Sequence, residues 1–172
     1  MAVSKKMDTF ANVAAIIVAE SVAGTVAYAK FAFPFSIQDK TALLLARIEY
    51  WFGNMSKLDA EANAIYGALI AAPTIVDLTV QSDPVMIDSA RVQRVDFGTA
   101  GSGQLINQPF VKDFSDLPGG GLLVAPSPLY AAVQGVGASS AVSLWMRMYY
   151  TYMQLSTEEY WQLVESRRII SS

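Results

Sequence analysis

A mostly β fold of about eight antiparallel strands packed as a sandwich, closed by one short carboxy-terminal α-helix, is what this sequence predicts. Three observations carry that expectation. Apolar residues alternate with polar ones over much of the chain, turn-forming clusters recur about every ten residues, and the period changes to a helical one only near the end.

The elements follow in order. Residues 10–19 form a short apolar run bracketed by Asp8 and Glu20, and behind Lys5 and Lys6 it has the outline of a secretory leader. Ten residues fall short of the roughly twenty that span a bilayer, so the run reads as a buried strand or short helix. Residues 1–24 are therefore an amino-terminal arm or an extra strand. In 25–37 the odd positions Ala27, Ala29, Phe31, Phe33, Phe35 and Ile37 make one apolar face, and Pro34 places this strand at an edge or a bulge. In 42–53 the same rule puts Leu44, Ala46, Ile48, Tyr50 and Phe52 on one face, with Arg47 and Glu49 on the other. Further strands are expected at 63–71, 74–81, 86–97, 105–112, 122–125 and 129–135. Turn signals at Gly53-Asn54, Ser82-Asp83-Pro84, the glycine-rich 98–103, the LPGGG of 117–121 and the APSP of 125–128 separate most of them. This rhythm suits a β-sandwich, a jelly roll or a barrel.

From Val142 the even positions Leu144, Met146, Met148, Tyr150 and Tyr152 are all apolar, while the odd ones mix Ser143, Trp145, Arg147, Tyr149 and Thr151: a long strand. At Ser156 the period changes. Ser156 and Glu159 have the spacing of a capping box, in which a serine oxygen and a glutamate three residues on satisfy each other's free amides. A helix over 156–169 follows, with Tyr160, Leu163 and Val164 on one face, Glu158 and Glu159 at its positive end, and Arg167 and Arg168 at its negative end. Such a length is marginal for a free helix, so it must dock.

Composition narrows function. Hydrophobic residues make up 53% of the 172 positions and charged ones 16%, well below the usual quarter. With 12 basic and 15 acidic side chains over a surface on the order of 8,000 Å², the outside is poor in ions, which marks an associating subunit. The net charge of −3 and the lack of any basic cluster beyond two doublets argue against a nucleic-acid-binding arm. There is no histidine and no cysteine, which removes serine–histidine catalysis, thiolate metal sites and disulfides. Asp96-Phe97-Gly98 has the letters of a kinase metal-binding triplet without any of its partners, and 98–103 is glycine-rich without a following helix or a Gly-Lys-Ser element. Convergence of Asp77, Asp83, Asp88, Asp96, Asp113 and Asp116 into an acid pair or calcium site is open to the chain in principle, though turn and solvent-facing positions account for most of them. No cofactor, metal or catalytic residue is expected.

The segment 143–168 holds two of the three tryptophans and four of the eight tyrosines. Such residues give large contact area at low entropic cost, so Trp145, Tyr149, Tyr160 and Trp161, with Phe10 and Ile16 from the amino-terminal run, are the candidate interface residues. A stacking platform for a sugar, base or lipid head group is the competing reading.

The stretch 141–169, AVSLWMRMYYTYMQLSTEEYWQLVESRRI, resembles the final strand and closing helix of viral coat proteins built on a single jelly roll, and the strand that carries RIEYWFG at 47–53 also suits that family. The resemblance implies an eight-stranded sandwich, homo-oligomeric capsomers, assembly into an icosahedral shell in the virion, and no catalysis. Many small coats carry an arginine-rich amino terminus that neutralises the genome, and this sequence departs from them there. The likeness therefore runs toward the small major capsid proteins of membrane-containing bacterial and archaeal viruses, which implies a larger sister coat protein and an underlying membrane as partners. The alternative is an oligomeric β-sandwich that binds carbohydrate or lipid.

Overall fold

Apolar faces, alternating in the outer strands and continuous in the central ones, build the elements of the computed structural model, which describes residues 11–33, 40–54, 63–80, 82–93, 109–125 and 128–170. The strands are β1 (Asn12–Ala19), β2 (Ala27–Lys30), β3 (Thr41–Gly53), β4 (Ala64–Ile70), β5 (Met86–Gln93), β6 (Phe110–Asp113), β7 (Leu122–Val124), β8 (Tyr130–Val136) and β9 (Ser143–Gln154). The helix α1 is Thr157–Ile170.

Pairing is antiparallel throughout and nested: β1 with β9, β2 with β8, β3 with β6 and β7, β4 with β5. The chain is thus one long hairpin with its tip between β4 and β5. Rolling it up also lays β9 against β3 and β8 against β4. Two sheets result, β1-β9-β3-β6 with β7 continuing beside β3, and β2-β8-β4-β5. This is a jelly-roll β-sandwich.

The inner faces supply the core. Leu43, Leu45, Ile48, Tyr50 and Phe52 of β3 and Leu144, Met146 and Met148 of β9 meet Ile65 and Leu69 of β4, Ala131 and Val133 of β8, and Val92 of β5. In β9 the buried positions are the even ones expected from sequence as far as Tyr150; beyond it Tyr152 is only partly buried and Met153 is buried beneath α1 instead. In β3 the buried positions are not all even. The register with β9 slips between Leu45 and Arg47, leaving Ala46 as the extra residue of a β-bulge. Before the bulge the odd residues face the core; after it the even ones do. Leu44, expected beside Ile48, instead faces outward toward α1. The bulge has a use: β7 pairs with β3 before it and β6 after it, and the Ala46 carbonyl accepts the Phe114 amide between them at 2.7 Å.

Residues 74–80 correct a second expectation, for they form turns and no strand. Asp77 is the reason. Its Oδ1 accepts the Thr79 amide (2.9 Å) and its carbonyl the Val80 amide (3.4 Å), a local arrangement that competes with a ladder. Ile75 and Leu78 are buried against Tyr66 and Ile70 on the outer face of the four-stranded sheet. The Leu78 amide donates to Gln134 Oε1 at 2.7 Å and the Tyr28 hydroxyl to the Ile75 carbonyl, so the loop covers that face. β2 keeps its expected alternation but stops as a strand at Lys30; Pro34, Phe35 and Ile37 lie outside the described residues, as do Phe10, Asp96 and the glycines of 98–103.

The helix begins as its sequence requires. The Glu159 amide donates to Ser156 Oγ (3.3 Å), and Glu159 Oε2 accepts the Ser156 amide (3.1 Å) and hydroxyl (3.0 Å). Tyr160, Leu163 and Val164 then pack on Ala42, Leu44, Met153 and Leu155, covering one end of the five-stranded sheet's outer face. Tyr160 is 7% exposed and Trp161, its neighbour, 56%. Tyr160→Ser is therefore expected to lower stability by about 3 kcal/mol through the cavity it leaves, while Trp161→Ser stays within about 0.5 kcal/mol; thermal melts of the two variants at low protein concentration check this.

Candidate association surface

Among the described residues, the outer face of the five-stranded sheet is covered by α1 at one end and bare at the other. Register places the bare residues in rows. Ile17, Trp145 and Trp51 stand side by side on β1, β9 and β3; the next row is Ala15, Arg147, Glu49 and Val111; the third is Val13, Tyr149, Arg47 and Asp113. Ile17 is 64% exposed, Trp145 57% and Trp51 42%. They border a cavity of about 670 Å³ that Ala15, Ile16, Met146 and Arg147 complete. With Trp161 on α1, all three tryptophans of the chain are exposed. Two of them form one apolar patch on the sheet and the third stands on the helix, and exposed indoles of this kind are candidate contact residues.

Charge is organised around the apolar rows. Glu49 is buried within the outer face, its Oε1 2.6 Å from Arg47 Nη2 and its Oε2 3.9 Å from Arg147 Nη1, and it also accepts the Tyr149 hydroxyl at 3.4 Å. The Arg47 guanidinium lies 5.5 Å from the Tyr149 ring centre. Two half-exposed cations thus share one sunken anion, and Asp113 stands opposite Arg47 in the register, so the charges on this face balance.

The sequence-derived candidates separate in space. Trp145 and Tyr149 share the bare face and Trp161 stands on the helix, whereas Tyr160 is packed beneath the helix and Ile16 turns inward against the core. Trp51, Ile17, Val13 and Arg147 were not singled out from sequence. For Trp51 the signal was there, since it alternates with Arg47 and Glu49 on the non-core face. For β1 it was absent, because both its faces are apolar and no period shows.

Other polar groups serve structure. Asp77, Asp83 and Asp113 each accept the amide two residues on, from Thr79, Val85 and Ser115, as turn-closing side chains do. Among the described residues no three His, Cys, Asp or Glu side chains are grouped to hold a metal ion, and no helix is long and apolar enough to cross a membrane.

Asp88 is different. It lies between the sheets, accepting the Tyr50 hydroxyl at 2.7 Å. Burial raises its carboxyl above the usual range, with the Tyr50 hydrogen bond, the Lys112 charge and the Ser89 amide pulling the other way; burial likewise pushes the Tyr50 phenol well up. A carboxyl raised by folding holds its proton more tightly in the native state. Its contribution is complete below the unfolded value and is lost as pH rises through the folded one. Asp88→Asn keeps an acceptor for Tyr50 without the charge. Its melting temperature relative to wild type should rise from pH 4 to pH 7; a difference flat in pH would show that Asp88 does not titrate differently on folding.

Fold and surface together define a jelly-roll β-sandwich with an exposed tryptophan-bearing face. No protein-family model matches the chain, and no curated protein matches it. Among solved structures it is similar to trichodysplasia spinulosa-associated polyomavirus VP1, at 8% identity and a TM-score of 0.51, over 87% of this chain and 97% of that one. At that identity the likeness is one of fold.

Proposed function

We propose that this protein is a non-catalytic structural subunit of a viral shell, self-assembling in the virion through the exposed tryptophan face. The observation that carries the reading is that all three tryptophans are exposed on a surface poor in charge. The jelly-roll topology shared with a viral capsid protein supports it. Closed icosahedral assembly is part of the proposal, since a shell subunit buries several such faces, and obligate contacts resemble a core cut in half. The 12 basic residues form no cluster beyond Lys5–Lys6 and Arg167–Arg168, which suits a coat separated from naked genome by a membrane or by a larger sister coat protein.

Sedimentation and negative-stain microscopy of the purified chain test this. Capsomers or particles are expected under mild conditions; a monomer that persists at high concentration overturns the reading.

The Trp51–Trp145 shelf and its cavity also favour a carbohydrate- or lipid-binding sandwich. Binding pockets pair an apolar lining with several converging polar groups, and among the described residues Arg147 is the one charged side chain on the lining. Self-association fits the surface better.

A further inference from the structure

We infer that strand β1 pairs edge to edge with β1 of a second copy of this chain, antiparallel about a two-fold axis at Ile16, so that the five-stranded sheets of two subunits join into one. The inference stands on the strand edge alone. It goes beyond the shell reading and neither needs nor excludes it.

A sheet edge presents unpaired amides and carbonyls, and folded proteins blunt such edges with short strands, charged side chains, proline or bulges. The other described edge strands of this sandwich are all blunted. β2 has four residues and ends in Lys30; β6 has four, with Lys112 and Asp113 among them; β7 has three. β5 carries Asp88 and Arg91, and its register with β4 shifts beside Ile70. β1 is the exception. Its eight residues, NVAAIIVA, include no charge and no proline, and its register with β9 runs without a shift. No described strand pairs with its other edge.

One bond fixes the phase of that edge. The amide of Glu20, the residue after β1, donates to the Val142 carbonyl at 3.0 Å, in step with the β1–β9 register. Backbone groups alternate in direction along a strand, so Ala14, Ile16 and Val18 turn theirs to β9, while those of Val13, Ala15, Ile17 and Ala19 point away from it. Another strand is what offers donors and acceptors at that spacing.

β1 is its own complement. Antiparallel alignment about Ile16 sets Val13 opposite Ala19, Ala15 opposite Ile17, and Ala14 opposite Val18. Each of these pairs joins a branched side chain to an alanine, and Ile16 meets its own copy. All the outward residues then fall in hydrogen-bonded pairs, with no charge in either strand. The same edge is used on both subunits, so the contact is isologous and closes at a dimer.

Proline at an outward residue tests this, since it removes an amide that β9 does not use. In sedimentation of the full chain, Ala15→Pro should need about tenfold higher concentration than wild type to dimerise. Its melting temperature at low concentration should stay near that of wild type. Ala14→Pro, one residue away, loses a bond to β9 and should melt well below both. Hydrogen exchange of the unaltered chain gives a reading independent of any variant. The amides of Val13, Ala15, Ile17 and Ala19 should gain protection as the protein is concentrated, whereas those of Ala14, Ile16 and Val18 are protected throughout. Folded Ala15→Pro that dimerises at the wild-type concentration overturns the inference. Outward amides whose exchange ignores concentration overturn it too: fast throughout, the edge is unpaired; slow throughout, a segment of the same chain already covers it. Wild-type dimers that grow no further, with protected outward amides, support the inference and overturn the shell reading. Particles formed equally by Ala15→Pro overturn the inference and leave the shell reading standing.

Discussion

Glu20→Ala is expected to destabilise the fold by about 3–5 kcal/mol, the largest single-residue loss in the molecule outside the hydrophobic core. Glu20 follows β1 directly and is 6% exposed. Its Oε1 accepts the Gly135 amide at 2.8 Å, its Oε2 the Val142 amide at 3.0 Å, and its own amide donates to the Val142 carbonyl at 3.0 Å. One carboxylate therefore ties the end of β1 to the end of β8 and the start of β9, joining strands of both sheets. Alanine leaves two buried amides without an acceptor, and each costs more unmade than it gained when made. Thermal unfolding should fall by roughly 10 °C, since about 2–4 °C accompany each kcal/mol in a chain of this size. Glu20→Gln, which keeps one acceptor oxygen, should lose about half as much. Equal losses in the two variants would show that the packing of the side chain, not its two oxygens, matters.

Gly67→Val is expected to cost about 2–3 kcal/mol by overpacking. Gly67 sits on β4 facing Leu144 and Phe52 of the opposite sheet. A Cβ there would lie 3.0 Å from Leu144 Cδ2 and 3.0 Å from Phe52 Cε1, so both neighbours would have to give way, and the two further carbons of valine would crowd them more. Leu144→Ala alone opens a cavity and costs about 2–5 kcal/mol. In the double variant the valine occupies the space the leucine left, so the losses should be markedly less than additive. Chemical denaturation of the four proteins gives the coupling directly, and strict additivity would mean that the two residues do not share the space described.

How much was legible in sequence depends on how local the cause is. The β9 face could be read off alternation, because a strand buried on one side repeats every two residues whatever it packs against. The capping box at Ser156 and Glu159 was equally visible, since both partners lie within one helical turn. In β3 the alternation was real but broke at Ala46, where an extra residue flips the side facing the core. Nothing in Leu-Leu-Leu-Ala marks that position; pairing with β6, β7 and β9 creates it. In 74–80 the apolar spacing fits a strand, and the local hydrogen bonds of Asp77 outcompete it.

The surface divides the same way. Sequence determined that this protein is a β-sandwich with one docked helix, poor in charge and without histidine or thiol chemistry, because composition and period are properties of the chain itself. Only the tertiary structure decided which aromatics remain in water. Tyr160 and Trp161 are adjacent in sequence, yet one is beneath the helix and the other above it. Trp51 and Trp145, ninety-four positions apart by numbering, become neighbours only because β3 pairs with β9. Burial depends on what covers a residue, and the covering elements come from elsewhere in the chain.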